Sequence, residues 1–293
     1  MHYALLGLTA ETSLHAGTGR STGVIDLPIM REAHTGWPCV YGSAVKGALR
    51  GLAQQHGASG IQDIFGPDTQ NASDHAGALT VGDARLLLLP VRSLSSHFKW
   101  VTCPAMLRRA AADALRLGIA GAVVPELKFT EANADATVIV PQAAHKALFL
   151  EEFSFEQKAQ DLSALIGWLA RFGGEGFAQR LQAQLAIVSD DMFAHLANFA
   201  TPVTPHIAID NARKAVKPGA LWYEETLPPE SVLYLTLAAS ASRRRDATMP
   251  AGDVLHSALA LFPPERPYVQ LGGNETVGMG WCRVQTVFSS AKA

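Results

Sequence analysis

Residues 14–50 read LHAGTGRSTGVIDLPIMREAHTGWPCVYGSAVKGALR, and the rest of the chain is best read outward from this stretch. It follows a short apolar segment, residues 3–8, which is bounded by turn-prone residues and fits a buried strand. Its first part, residues 16–23, carries three glycines among polar residues and reads as a loop. Its last part reads as a helix over Gly42–Gln55. There Val45, Leu49 and Leu52 share one apolar stripe, and Ser43 is placed to cap the helix start.

Toward the C-terminus the same reading gives a polar loop rich in Gly, Asp and Asn at 57–77 and a strand at 79–89. A helix at 104–117 opens with Pro in its first turn. A strand-like segment at 145–155 and a helix at 162–171 follow. Ser189, Asp190 and Asp191 then start a short helix through residue 198. Strands at 204–209 and 220–225 flank a basic loop with Arg213, Lys214 and Lys217. A strand at 232–238, a helix at 253–261, a strand at 268–271, a glycine loop and a strand at 281–288 close the pattern. Strands and helices alternate irregularly, with hairpins between some strands. That is an α+β signature, not a regular βαβ repeat. Neither an internal repeat nor an interdomain linker is visible. One domain over residues 1–293 is expected: a ferredoxin-like sheet with large insertions around 57–77 and 90–200 and a hairpin near 204–225.

A chain of 293 residues can bury a sizeable core. Its 24 basic and 26 acidic side chains leave a net charge of −2, which excludes a polycationic nucleic-acid binder but not a basic stripe on one face. With 48% apolar and 17% charged residues, long disordered tails are not expected. Cys39, Cys103 and Cys282 are isolated and form no CxxC pair, so they read as reduced thiols rather than zinc ligands or disulfides. The apolar run at 86–89 is closed by Pro90, and no run approaches the ~20 residues of a membrane-spanning helix. The first ten residues lack a basic segment and a cleavage-site pattern. A cytoplasmic protein with no membrane partner is expected.

Three blocks carry candidate chemistry. In the first, Gly42 and Gly47 have the spacing of a phosphate-binding P-loop, but Ala48 stands where that motif needs Lys. Lys46 and Arg50 are four apart and share a helical face, either solvated or holding phosphates. Asp26 lies among Val24, Ile25, Leu27, Pro28 and Ile29. It is a turn residue or cap, or a metal ligand or general base at the mouth of a cleft. His15 and His34 share that ambiguity and belong to no HExxH motif. The second block, residues 272–280, holds Gly272, Gly273, Gly278 and Gly280 but no GxGxxG pattern leading into a helix. It is an elaborate turn, or a bare backbone surface that lets RNA or a strand approach closely. In the third, residues 222–228, the aromatics are core or stacking platforms, and the paired acids are ordinarily solvated. The basic loop before it is the best candidate for contact with a nucleic-acid backbone.

The blocks occur in a telling order: His-x-Gly-x-Gly, Ile-Asp-Leu-Pro-Ile-x-Arg-Glu, His-Thr-Gly, Gly-Ser-x-x-Lys-Gly-x-x-Arg, Trp-Tyr-Glu-Glu-x-Leu-Pro and Gly-Gly-x-Glu-Thr-x-Gly-x-Gly. In this the chain resembles the RAMP superfamily of CRISPR proteins, most closely the backbone, or fourth, subunits of type III-B Cmr effector complexes. The likeness runs from residue 14 to residue 280; the middle, roughly 90–200, matches mainly in element order.

The resemblance implies an RRM-type palm with added fingers and a thumb hairpin. It implies partners: a guide (CRISPR) RNA, a complementary single-stranded target RNA, other Cmr subunits, and further copies of the chain stacked head to tail in a filament. It implies that Asp26 is the catalytic aspartate and holds a divalent metal, Mg²⁺ by chemistry, while the target is cut beside a displaced nucleotide. His15, Glu224 and Tyr223 are implied assistants. Lys46, Arg50, Ser43 and the C-terminal glycines fall where the family grips the guide. Splaying a nucleotide frees its 2′-hydroxyl for in-line attack, largely a positioning effect. A free aspartate is a weak base at neutral pH but a good oxygen ligand for Mg²⁺. The competing expectations are a RAMP scaffold that binds guide RNA without cutting, and a ribonuclease that matures the guide.

Overall fold

The computed structural model describes residues 1–68, 73–119, 124–129, 131–143, 147–245 and 249–290. Its strands are β1 (His2–Ala10), β2 (Cys39–Val40), β3 (Leu79–Val81), β4 (Ala84–Arg92), β5 (Phe98–Thr102), β6 (Thr137–Val140) and β7 (Ala147–Leu150). They continue with β8 (Phe153–Ala159), β9 (Leu185–Ile187), β10 (Val203–Asp210), β11 (Ala215–Glu225), β12 (Val232–Ala239), β13 (Tyr268–Gln270) and β14 (Trp281–Ser289). The helices are α1 (Gly42–Gln55), α2 (Ile61–Phe65), α3 (Pro104–Arg116) and α4 (Ser163–Gly173), then α5 (Phe177–Gln184), α6 (Asp190–Phe199) and α7 (Ala251–Leu259).

Four of these strands make the frame. They lie in the order β14-β1-β12-β4, all antiparallel. Helix α1 falls between β1 and β4, and α7 between β12 and β14. This is the β-α-β-β-α-β plan of a ferredoxin-like palm. Residues 93–231 are inserted between two adjacent strands of that palm and contain β5 to β11 and α3 to α6. Strand β4 is long enough to serve both parts: residues 85–88 pair with β12, and residues 89–92 pair with β5. From β5 the sheet runs on through β9, β6, β8 and β7, while β10 and β11 form a separate hairpin.

The four leucines of β4 are consecutive because both sheet faces are covered. Leu86 and Leu89 join one core cluster, Leu87 and Leu88 the other. A register shift against β12 at this point lets two neighbouring residues face the same side. On β1 the alternation is cleaner. Leu6 and Leu8 belong with Val45 and Leu49 of α1 and Leu255 of α7; Leu5 belongs with Leu165, Leu169 and Phe172 of α4. Helices α4 and α5 thus roof the sheet face that a bare palm leaves open.

Gly7 permits that roof. A Cβ there would sit 2.3 Å from the Phe172 carbonyl oxygen, a backbone atom with no room to retreat. Gly7→Ala should therefore lower stability by about 3 kcal/mol, the upper end of ordinary overpacking costs, read as a reduced urea midpoint.

Several sequence expectations change. Ser43 does not cap α1, because the helix begins one residue earlier: Tyr41 holds the cap position, and the Gly42 N–H donates to Asp83 Oδ1 at 2.7 Å. The expected strand at 79–89 is two strands, broken at Gly82 and Asp83. The segment 145–155 is the β7–β8 hairpin, turning at Glu151 in a left-handed conformation; residues 144–146 lie outside the described residues. The loop at 57–77 contains α2, and its residues 69–72 also lie outside them. Lys217 belongs to β11, not to the loop, which shrinks to residues 211–214. Among the described residues no helix is long and apolar enough to cross a membrane.

Candidate active site

The connection from β1 to α1 folds back on itself. Gly17 bridges Ile29, and the backbone N–H groups of Thr18, Ser21 and Met30 donate to Pro28, Asp26 and Ala16 at 3.1, 2.8 and 2.7 Å. The returning arm lies along the free edge of β11. Leu27 donates to the Tyr223 carbonyl at 3.0 Å, and Glu225 donates to the Leu27 carbonyl at 3.0 Å. At the end of this short ladder Asp26 Oδ2 accepts the Tyr223 N–H at 2.8 Å. A side-chain carboxylate thus takes the place of one backbone rung. Pro205 stands opposite Tyr223 on β10 and has no N–H to give. It is tolerated because β11 turns its polar groups at that rung toward residues 26 and 27.

Beside this arm opens a cleft of about 630 Å³. Arg20 and Asp26 line one wall, Trp222 and Glu224 the hairpin wall, and Asn274 the glycine-loop side. Glu224 is buried, and its Oε1 accepts the Asn274 side-chain N–H at 2.6 Å. Among the described residues Asp26 Oδ1 and Glu224 Oε2 accept no hydrogen bond. His15 is buried behind the same loop. Its Nδ1 lies 2.7 Å from the Glu225 carbonyl oxygen, which can only accept. Nδ1 therefore carries the proton, and in the neutral ring Nε2 is the acceptor. The glycine loop clasps this histidine: Gly273 donates to the His15 carbonyl at 2.8 Å. A Cβ on Gly272, which has φ +80°, would meet that oxygen at 2.3 Å.

The other expected residues lie apart from the cleft. Tyr223 reaches Asp26 through its backbone; its half-exposed ring is not on the cleft wall. Gly278 and Gly280 close the glycine loop. Arg213 and Lys214 sit at the exposed hairpin tip and Lys217 one strand step beyond. His34 is exposed, 4.0 Å from Glu32. On α1, Lys46 and Arg50 are treated differently. Arg50 donates to the Pro67 carbonyl at 3.0 Å and pairs with Asp68 at 2.5 Å. No carboxylate pairs with Lys46 among the described residues. Burial, with Arg50 and Arg243 nearby, holds its ammonium below the usual lysine range. Arg243 comes from residues 240–245, which Asp63 holds through Ser242 Oγ at 2.7 Å and Arg244 at 3.6 Å.

Residues 7–283 match the family model of the RAMP superfamily. The chain belongs to the RAMP superfamily. Over 288 residues, 96% of this chain and 94% of the other, it is 33% identical to the CRISPR system Cmr endoribonuclease Cmr4 of Pyrococcus furiosus. It is 23% identical over 298 residues, 93% and 92% of the two chains, to the CMR subunit Cmr4 of Saccharolobus solfataricus. Among solved structures it superposes on oligomeric Cmr4 from P. furiosus with a TM-score of 0.75 at 27% identity, covering 98% of this chain and 99% of that one.

In this RAMP chain the cleft's donor set suits a hard cation. Mg²⁺ keeps several waters and takes one or two carboxylates together with substrate phosphates. Asp26 and Glu224 each offer one oxygen without a protein partner. Among the described residues no cluster of three or more His, Cys, Asp or Glu exists that would hold an ion by itself. Three residues of these regions were not singled out by the sequence reading. Arg20 and Asn274 reach the cleft from loops, and Arg243 stands beside Lys46; Trp222, read as core or stacking platform, is half-buried on the cleft wall. The triplet Arg243, Arg244 and Arg245 was a visible signal for the last of the three. For Asn274 the signal was Asn after two glycines, a residue that tolerates its left-handed φ of +61°.

Proposed function

We propose that the chain is a backbone subunit of a type III-B CRISPR effector. It binds guide RNA, stacks head to tail with further copies beside other Cmr subunits, and cuts complementary RNA at regular intervals. The carrying observation is the cleft that joins Asp26 and Glu224 to the base of a projecting hairpin, in a chain 33% identical to a Cmr endoribonuclease. The hairpin is the thumb of this reading. Target RNA with one nucleotide pushed out of its helix enters the cleft, and the freed 2′-hydroxyl gives up its proton and attacks the adjacent 3′-phosphate; the P–O5′ bond breaks, leaving a 2′,3′-cyclic phosphate and a reprotonated 5′-hydroxyl end.

Asp26, fixed at Oδ2 by the Tyr223 N–H, holds that hydroxyl or its water on Oδ1. Asn274 orients Glu224 so that Oε2 faces the cleft. His15 Nε2 is the proton acceptor of the site. Asp26 and Glu224 would hold a Mg²⁺, which when bound would supply charge stabilisation. The test is a reconstituted complex with guide, complementary RNA and Mg²⁺. A ladder of evenly spaced cuts supports the reading, and intact target that nevertheless stays bound makes the chain a scaffold.

Guide binding is assigned to the α1 face around Lys46. Lys46→Ala should flatten the dependence of log K on log salt by about 0.7 for a single strand; Arg50→Ala should do less, because Asp68 already pairs it. The lowered lysine also sets a pH dependence. Its charge is lost on raising pH earlier than for an ordinary lysine, chiefly because burial disfavours the charged form. RNA affinity should therefore begin to fall at a lower pH than an ordinary lysine would give. Arg243→Ala should move that fall to higher pH, and Lys46→Arg should remove it, all read by filter binding.

A further inference from the structure

Trp222 of β11 is placed unlike Trp100 of β5, which is fully buried. It stands half-exposed on the hairpin directly across from His206, and the two rings stack with centroids 5.6 Å apart and planes 15° from parallel. By strand alternation it shares a hairpin face with Glu224, and both line the cleft that contains Asp26. Arg20, on the opposite wall, forms no ion pair among the described residues and offers a guanidinium to a phosphate. The volume of about 630 Å³ lies within the range of small-ligand sites, about 300–1,000 Å³.

We propose that Trp222, backed by His206, is a stacking platform for one unpaired base of the RNA in this cleft. The inference rests on the reading of the hairpin as the thumb, and it adds the group that receives the displaced nucleotide. A base offers a flat π-face of any identity, so the platform is indifferent to sequence, as a site that must act on any target requires. Stacking on one side by His206 fixes the indole ring and leaves its other side for the base. By holding the base, Trp222 positions the attached ribose beside Asp26. It is thus a positioning residue for the cut.

The test uses the complex assembled with guide RNA and the Asp26→Asn chain, so that the target stays whole. A fluorescent purine, 2-aminopurine, is walked through one repeat of the target. At the displaced position it should be quenched by Trp222. In Trp222→Ala it should light up at that position alone, and in Trp222→Phe quenching should return in large part. Assembly with guide, read by gel shift, should be unchanged in all of them. Equal emission with and without Trp222 at every position overturns the platform and leaves the ring as a cross-strand partner of His206. The readout does not depend on cutting. Quenching without a cleavage ladder from the Asp26-containing complex would retain the platform and refute the nuclease reading.

Discussion

Asp26→Asn should slow target-RNA cleavage about a thousandfold while guide binding and assembly persist. Asparagine keeps the shape and can still accept the Tyr223 N–H, so the arm at 26–29 stays on the edge of β11. What disappears is the negative charge on the oxygen that faces the cleft. A metal site supplies several kcal/mol of charge stabilisation, and each ~1.4 kcal/mol is a factor of ten in rate. Added EDTA should reproduce the loss in the unsubstituted complex. Labelled target on a denaturing gel decides: equal ladders from both complexes would remove Asp26 from the chemistry. Full activity in EDTA would confine Asp26 to holding the hydroxyl.

The second large effect is on stability. Glu225 is 2% exposed and gathers partners from two segments, the Asp26 arm and the connection after α6. Its Oε1 accepts from Arg31 at 2.5 Å and Thr201 at 2.6 Å, and its Oε2 accepts the Ile29 N–H at 3.1 Å. Arg31 in turn donates to the carbonyls of Gly36 and Ala197, each at 2.8 Å. This knot ties the Asp26 arm, the hairpin base and α6 together. Arg31→Ala strands a buried carboxylate and should cost about 3–5 kcal/mol, read in urea unfolding. Removing both charges with Arg31→Met and Glu225→Leu should cost less than Arg31→Ala alone. If the double variant is the less stable one, the pair is stabilising in its own right.

The palm was legible because its signals are local. The stripe on α1 and the apolar stretches at β1, β12 and β14 announce themselves within ten residues of sequence. The insertion was not. Strands β6 and β9 have four and three residues, too short to carry a pattern; β6 pairs with β8 across the intervening β7, and β9 with β5, far away in sequence. The site divides the same way. Asp26 drew attention because a charge sat among apolar neighbours. Asn274 and Arg20 did not, since only folding brings residues 20, 26, 224 and 274 to one cleft. Arg50 shows the converse. Helical spacing put it beside Lys46, but periodicity says nothing of Asp68, which reaches it from the following loop.

The palm's strand order also governs how the molecule is made. Strand β1 is central, yet its neighbours are residues 232–239 and 282–289. During synthesis it waits, apolar and with both edges open, until nearly all the chain that separates it from them has emerged. The inserted segment between β4 and β12 can meanwhile settle on its own local pairings. Closing such distant contacts is slow, and unpaired edges invite association with other nascent chains. A chain proposed to work as one of several identical copies along an RNA is thus exposed, before it is finished, to the copies being translated beside it. Slowing the ribosome ahead of β12 should raise the aggregated fraction without altering the native fold.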